Sequence, residues 1–101
     1  MIYGKGGFIY ILTNINNKVL YIGVTSDLAS RIIEHKTDYY PKSFTSRYNL
    51  NKLVYFEIFD DIESAIEREK YLKGKRRNYK VQLIEKVNPN WADLYDQISN
   101  W

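Results

Sequence analysis

The sequence has no cysteine, which excludes disulfide scaffolds, cysteine zinc sites, thiol nucleophiles and iron–sulfur clusters in one step. It has a single histidine, His35, so two-histidine metal sites are excluded as well. Long apolar runs are also missing: mean hydropathy is −0.48 and no span approaches the ~20 residues that cross a bilayer. Residues Met1 to Gly7 hold one lysine and three glycines but no apolar stretch, so no signal peptide is expected. With only two prolines and no Gly/Ser-rich tract, nothing divides the chain, and residues 1–101 read as a single domain. What is present is ordinary for a globular protein, 45% hydrophobic and 27% charged, which argues against disorder. These absences together describe a cytoplasmic domain with no membrane partner.

Acidic residues are scarce in one place. Between Arg68 and Lys80 stand Arg68, Lys70, Lys73, Lys75, Arg76, Arg77 and Lys80 against one acid, Glu69, a local charge of +6. The net charge is +3, so the rest of the chain sums to −3. A basic stripe on an otherwise slightly acidic chain is the electrostatic footprint of a phosphate-backbone binder, although a solvated lysine-rich helix face looks the same. Lys70, Lys73, Lys75, Arg76, Arg77 and Lys80 are therefore the candidate nucleic-acid contacts.

Residues 8–13 and 19–25 are β-branched and aromatic, and the turn-forming run from Asn14 to Lys18 joins them as a hairpin. With an even loop, Tyr10 and Tyr21 share one face with Phe8, Leu12, Val19 and Gly23. The other face, Ile9, Ile11, Leu20, Ile22 and Val24, is wholly aliphatic and reads as core. Thr25-Ser26-Asp27 opens a helix over 27–37, and a polar, aromatic loop runs from Asp38 to Asn49. A third strand is expected over 52–59. Asp60 and Glu63 have capping-box spacing ahead of a helix over 61–73 that Gly74 ends. A shorter helix over 79–87 stops at Asn88-Pro89, and Ala92 to Ile98 reads as a last helical turn or two. The order β-β-α-β-α-α describes an α+β fold in which helices flank a three-stranded, largely antiparallel sheet.

Spacing residues at ~100° places Ile62, Ala65, Ile66 and Leu72 on the apolar arc of the second helix, with Glu63, Glu67 and Arg68 outside it. Glu69 falls inside that arc. An inward carboxylate is costly unless a cation, a metal ion or hydrogen bonds receive it; an i,i+4 pair with Lys73 is the plain alternative. In the first helix Leu28, Ala29, Ile32 and Ile33 form the arc, Ser30 and Glu34 lie opposite, and Arg31 and His35 stack on one edge. These two are either an exposed arginine and a boundary histidine, or a pair directed at one point.

Taken together, two tyrosines, an Arg/His pair and one inward glutamate make a kit for metal-assisted phosphodiester hydrolysis. A carboxylate holds a hard cation, arginine offsets charge on a phosphate oxygen, and tyrosine passes protons. Only one acid points inward, which favours a single metal ion. Competing motifs fail: Gly4-Lys5-Gly6-Gly7 has no strand before it, Gly74-Lys75 is followed by arginine, and the serines have only His35 as a base.

These residues resemble the GIY-YIG nuclease family. The first signature strand reads Phe8-Ile9-Tyr10 and the second Tyr21-Ile22-Gly23. Arg31 stands ten positions past Tyr21, where the family places its catalytic arginine, and His35 follows. Glu69 matches the metal-binding glutamate, and Asn88 matches a downstream asparagine. The chain departs from the pattern at Phe8, where the family name has glycine; Gly7 is one place early. The resemblance covers roughly residues 7 to 91 and points to the small stand-alone bacterial members, similar to the nuclease module of the excision-repair incision enzyme.

The resemblance implies a divalent-metal-dependent endonuclease making a single-strand cut in DNA, in repair or processing. Glu69 would hold one Mg²⁺ or Mn²⁺ and Arg31 would stabilise the transition state. Tyr10 or Tyr21 would activate the water, with Tyr10 the preferred base and Tyr21 orienting; His35 would assist proton transfer or contact phosphate, and Asn88 would support the site. With no room for a DNA-reading domain, low sequence specificity is expected, selectivity coming from branched or damaged DNA or from a partner protein. Two alternatives stand beside this reading: a non-catalytic nucleic-acid-binding module using the 68–80 stripe, and an interaction module whose basic helix docks an acidic protein.

Overall fold

The computed structural model describes residues 6–37 and 39–101. The expectations for residues 1–5 and for Asp38 lie outside them. The chain order is β1 (Gly7–Thr13), β2 (Leu20–Thr25), α1 (Leu28–Lys36), α2 (Phe44–Arg47), β3 (Lys52–Phe59), α3 (Ile62–Lys73), α4 (Arg77–Val87) and α5 (Tyr95–Ile98). The fold is α+β, a three-stranded antiparallel sheet in the order β2-β1-β3 with helices on both faces. No helix among the described residues is long and apolar enough to cross a membrane.

The hairpin register follows from its hydrophobic alternation. Tyr10 faces Gly23, Leu12 faces Tyr21, Ile9 faces Val24 and Ile11 faces Ile22. Ile9, Ile11 and Ile22 pack with Val54, Ala65, Leu72 and Ile84 under α3 and α4. Tyr10 and Leu12 turn the other way, packing with Leu28 and Ile32 of α1, Leu53 and Ile98. The sheet therefore has an aliphatic face covered by α3 and α4, and a tyrosine-bearing face covered by α1. Gly7 closes the first layer: a Cβ there would lie 2.9 Å from Ala65 Cβ and 3.0 Å from Ile62 Cα. That close approach accounts for glycine one place before the expected position, while Phe8 packs against Trp101 with ring centroids 5.9 Å apart.

Local chemistry differs from expectation in three places. The cap of α3 is Asp61, whose carboxylate accepts from Ser64 N at 2.7 Å, so the signal belongs one residue later than Asp60. The 38–49 stretch contains α2, begun by Ser43 accepting from Ser46 N at 3.1 Å; the Ser-x-x-Ser spacing was its only sequence signal. Ile33 and Ile66, assigned to apolar arcs, are substantially exposed, because each arc is wider than the strip its helix lays on the sheet.

β1 and β3 shift register between Ile11 and Leu12, opposite which β3 carries one extra residue, Val54. Such an irregularity leaves backbone groups without ladder partners. Asn88 supplies one: its buried Nδ2 donates to Val54 O at 3.0 Å and to Ala92 O at 2.9 Å, while its Oδ1 accepts from Ala92 N at 3.0 Å. Asn88 is thus a structural clasp between the end of α4 and β3.

The tightest constraint is Gly23. A Cβ placed there would collide with the Cζ and hydroxyl oxygen of Tyr10. Gly23→Ala should cost about 1–3 kcal/mol by overpacking, lowering the melting temperature by roughly 4–8 °C for each kcal/mol. Gly74→Ala, where the nearest atom is Tyr71 O at 3.5 Å, is the control. Thermal melts of the two variants check this, and equal stability would remove the constraint.

Candidate active site

On the tyrosine face, β1 supplies Tyr10, the edge strand β2 supplies Tyr21 and α1 supplies Arg31 and His35. The Tyr10 hydroxyl lies 3.2 Å from His35 Nε2. The rings of Tyr10, Tyr21 and His35 form a triangle with centroid separations of 6.3, 5.8 and 6.2 Å. Asp27 caps α1 by accepting from Ser30 N, which fixes the helix phase that turns His35 to the sheet. The i,i+4 spacing of Arg31 and His35 thus brings both to one point, and Arg31 pairs with Glu34 at 3.3 Å. Glu34, placed opposite the arc in sequence, is part of this surface.

Two residues of the site escaped the sequence reading. His35 Nδ1 bonds to Thr45 Oγ1 at 3.0 Å, and Thr45 Oγ1 lies 3.1 Å from Ser43 Oγ. Thr45 is buried, so its hydroxyl is held where it fixes the imidazole plane. A recess of about 10 Å³, the size of one water, opens beside them between Glu34, His35, Tyr40 and Ser43. Nothing in a loop-like serine and threonine run announces this; only the three-dimensional return of α2 onto α1 does.

Electrostatics set the protonation states. Burial pushes the Tyr10 hydroxyl well above the usual tyrosine range; the Tyr21 hydroxyl adds to this, and the Arg31 charge opposes it. Burial lowers the His35 imidazole below its usual 6.5, and Arg31 pushes the same way while Glu34 opposes. At neutral pH Tyr10 therefore keeps its proton and His35 is a neutral acceptor. A standing tyrosinate at Tyr10 is disfavoured, which alters the role expected for it as a simple base.

Glu69 is placed differently. It sits on α3, the helix that covers the aliphatic face, and its Oε2 pairs with Lys73 Nζ at 2.7 Å. Arg31 and Glu34 supply the formal charges that act on Tyr10 and His35, and Glu69 is not among the groups that shift either one. α3 starts against Gly7 and crosses toward β2, and the next helix is tied to the hairpin turn by Arg77, which donates to Lys18 O at 2.8 Å and Asn17 O at 2.7 Å. Glu69 lies near the C-terminal end of α3, a helix that packs across β1 and β2. Its side chain is 14% exposed, so the inward placement read from the wheel and the Lys73 pair coexist. Among the described residues no three acidic or imidazole groups gather to hold a metal ion. A cation here would have one carboxylate and otherwise water or phosphate oxygens, a donor set that suits Mg²⁺.

The basic stripe divides. Arg68, assigned to solvent by the wheel, folds onto β3 and holds Glu57 with Nε–Oε1 at 2.9 Å and Nη2–Oε2 at 3.0 Å. Arg77 is engaged by the hairpin carbonyls. Lys75 stands over the rings of Tyr71 and Tyr79 at 4.7 and 5.3 Å. Lys70, Lys73 and Arg76 are exposed and Lys80 is half-buried. Asn88 is spent on its three hydrogen bonds and faces β3.

His35 is the only histidine, so its imidazole gives one resolvable proton signal. Its NMR titration midpoint should lie below 6.5. Because the folded value is depressed, the associated stability is complete above about 6.5 and is lost as pH falls toward the folded midpoint. Urea unfolding of wild type and His35→Gln across this window should show that slope only in the wild type.

Comparison with known proteins agrees with this geometry. Residues 6–82 match the GIY-YIG catalytic domain. The chain is 35% identical over 82 residues to a UPF0213 protein of Syntrophus aciditrophicus, covering 81% of this chain and 92% of that one. It is 40% identical over 77 residues to a UPF0213 protein of Clostridium perfringens, covering 76% and 81%. The solution structure of a UPF0213 protein from Bacillus halodurans superposes with a TM-score of 0.54 at 26% identity, over 87% of this chain and 92% of that chain. With signature strands, helix-borne arginine and histidine, and these relatives in agreement, the chain belongs to the GIY-YIG nuclease family, beside its small UPF0213 members.

Proposed function

We propose that this protein is a divalent-metal-dependent endonuclease that makes a single-strand cut in DNA with little sequence preference. The observation that carries the reading is the convergence of Tyr10, Tyr21, Arg31 and His35 on one sheet face at motif spacing. For Glu69 to act on the same phosphate, the substrate would wrap the open edge of β2, the strand that bears Tyr21. Mg²⁺ or Mn²⁺ at Glu69 would polarise the phosphate and stabilise the leaving oxygen. Tyr10, kept protonated by burial, takes a proton from the attacking water only as it passes its own to His35 Nε2. For Nε2 to accept, Nδ1 must carry the ring proton and donate it to Thr45 Oγ1, an arrangement the 3.0 Å contact allows. Tyr21, at the edge and less buried, orients the water. Arg31 faces the developing phosphate charge, with Glu34 setting its direction.

Glu69→Gln tests the mechanism. The amide keeps the shape but loses the charge that holds a hard cation. The variant should fold and bind DNA, and should not nick a supercoiled plasmid in saturating Mg²⁺. Binding survives because removing a negative charge beside a basic stripe cannot weaken phosphate attraction. Wild-type nicking by the folded variant would overturn the role of Glu69. Loss of fold instead would assign Glu69 to its pair with Lys73.

The stripe acts on the phosphate backbone through Lys70, Lys73, Lys75, Arg76 and Lys80, with Arg77 serving mainly to tie the hairpin. Reversing Lys70 and Arg76 to glutamate should weaken binding to all duplexes alike and flatten the dependence of affinity on salt. Titrations at several salt concentrations read both effects. Unchanged affinity and slope would remove the stripe from the interface.

A further inference from the structure

We infer that Tyr21, Phe44 and Tyr48 form a stacking track for unpaired bases next to the candidate active site, so that the substrate carries a single-stranded or extruded segment there. This rests on the nuclease reading of that site and adds the substrate class. Phe44 lies 6.3 Å from the Tyr21 ring and Tyr48 lies 4.7 Å from Phe44, so the aromatic surface runs outward from the cluster around His35 without a break. Phe44 is 51% and Tyr48 43% exposed, and nearby Tyr39 and Tyr40 are 64% and 56% exposed. None of these four rings belongs to either core cluster, so this much exposed aromatic surface within ten residues marks a contact surface.

The surroundings select the occupant. Residues 39–51 carry Lys42 and Arg47, both exposed, and no acidic residue. Cations beside ring faces are the arrangement that holds a strand by its phosphates and its bases at once. At its outer end Tyr48 lines a cleft of about 470 Å³ with Asn14, Ile15, Asn16, Asn49 and Asn51. Carboxamides donate and accept together, as the edges of unpaired bases require. An acidic peptide would meet the two cations and could bond the amides, but its carboxylate side chains offer the rings no flat face to stack on. A fully paired duplex would present its phosphates but hide its bases from the rings.

The track also continues the site. Ser43, Phe44 and Thr45 are consecutive. Ser43 caps α2, Thr45 turns inward to His35, and Phe44 turns outward over Tyr21. A base stacked on Phe44 would therefore place the adjoining phosphate beside Tyr21 and His35.

The experiment is fluorescence anisotropy with a labelled 20-mer, single-stranded or annealed to its complement, in EDTA so that nothing is cut. Phe44→Ala and Tyr48→Ala should each weaken single-strand binding by about fivefold to a hundredfold, and duplex binding by less than twofold. Phe44→Trp should restore the single-strand affinity, which a general loss of fold would not allow; circular dichroism checks the alanine variants. Equal losses on both forms, or none on either, would overturn the proposal. A protein that shows the selective loss yet never nicks DNA in Mg²⁺ would keep the track and refute the nuclease reading. One that nicks but binds both forms like wild type in every aromatic variant would do the reverse.

Discussion

A tyrosine ring lying on a glycine organises this protein. Tyr10 is almost wholly buried, and its ring occupies the space a side chain at residue 23 would need. The contact fixes the pairing of β1 with β2, and a slip of one residue would turn Tyr21 to the aliphatic face and break both layers. Once Tyr10 is fixed, its hydroxyl defines where His35 must arrive, and so where α1 must lie. The signature glycine is thus first a packing residue, and the site geometry follows from the packing.

The same burial sets the chemistry. A solvated tyrosine and histidine would titrate nearer their ordinary values; here burial raises the cost of forming a tyrosinate or an imidazolium. At rest the two groups carry no charge in the interior, and a proton passed from Tyr10 to His35 avoids a charge pair there only if the tyrosine oxygen takes up another as it leaves. The formal charge nearby belongs to Arg31 and Glu34, which are partly open to solvent and paired with each other. Across the sheet, cations that look alike in sequence have separate duties: Arg68 fastens α3 to β3, Arg77 fastens α4 to the hairpin, and others remain outward.

Much of this was legible in the sequence. Alternation gave both faces of the hairpin, because a half-buried strand writes its period directly. Helical spacing placed Arg31 beside His35 and turned Glu69 inward. What the sequence did not show depends on contacts between distant segments. Thr45 reaches His35 because α2 folds back on α1, and a four-residue helix in a polar stretch has no periodicity to read. Arg68 looked solvent-facing because a helical wheel has no knowledge of Glu57 on another strand. Asn88 matched a family position, yet its amide is committed to an irregularity in β3 that no local pattern announces.

The middle strand of the sheet is the first to leave the ribosome. β1 gains β2 within a dozen further residues, but its other edge stays unpaired until 52–59 have been made. During that interval a growing chain presents an open, strongly apolar strand edge, the kind that pairs with whatever strand is near. Tyr10 is then already opposite Gly23, while the helix bearing His35 has no floor of Leu53 to settle on. The layer beneath the candidate catalytic face is complete only when Leu53 and, last of all, Ile98 of α5 have been made.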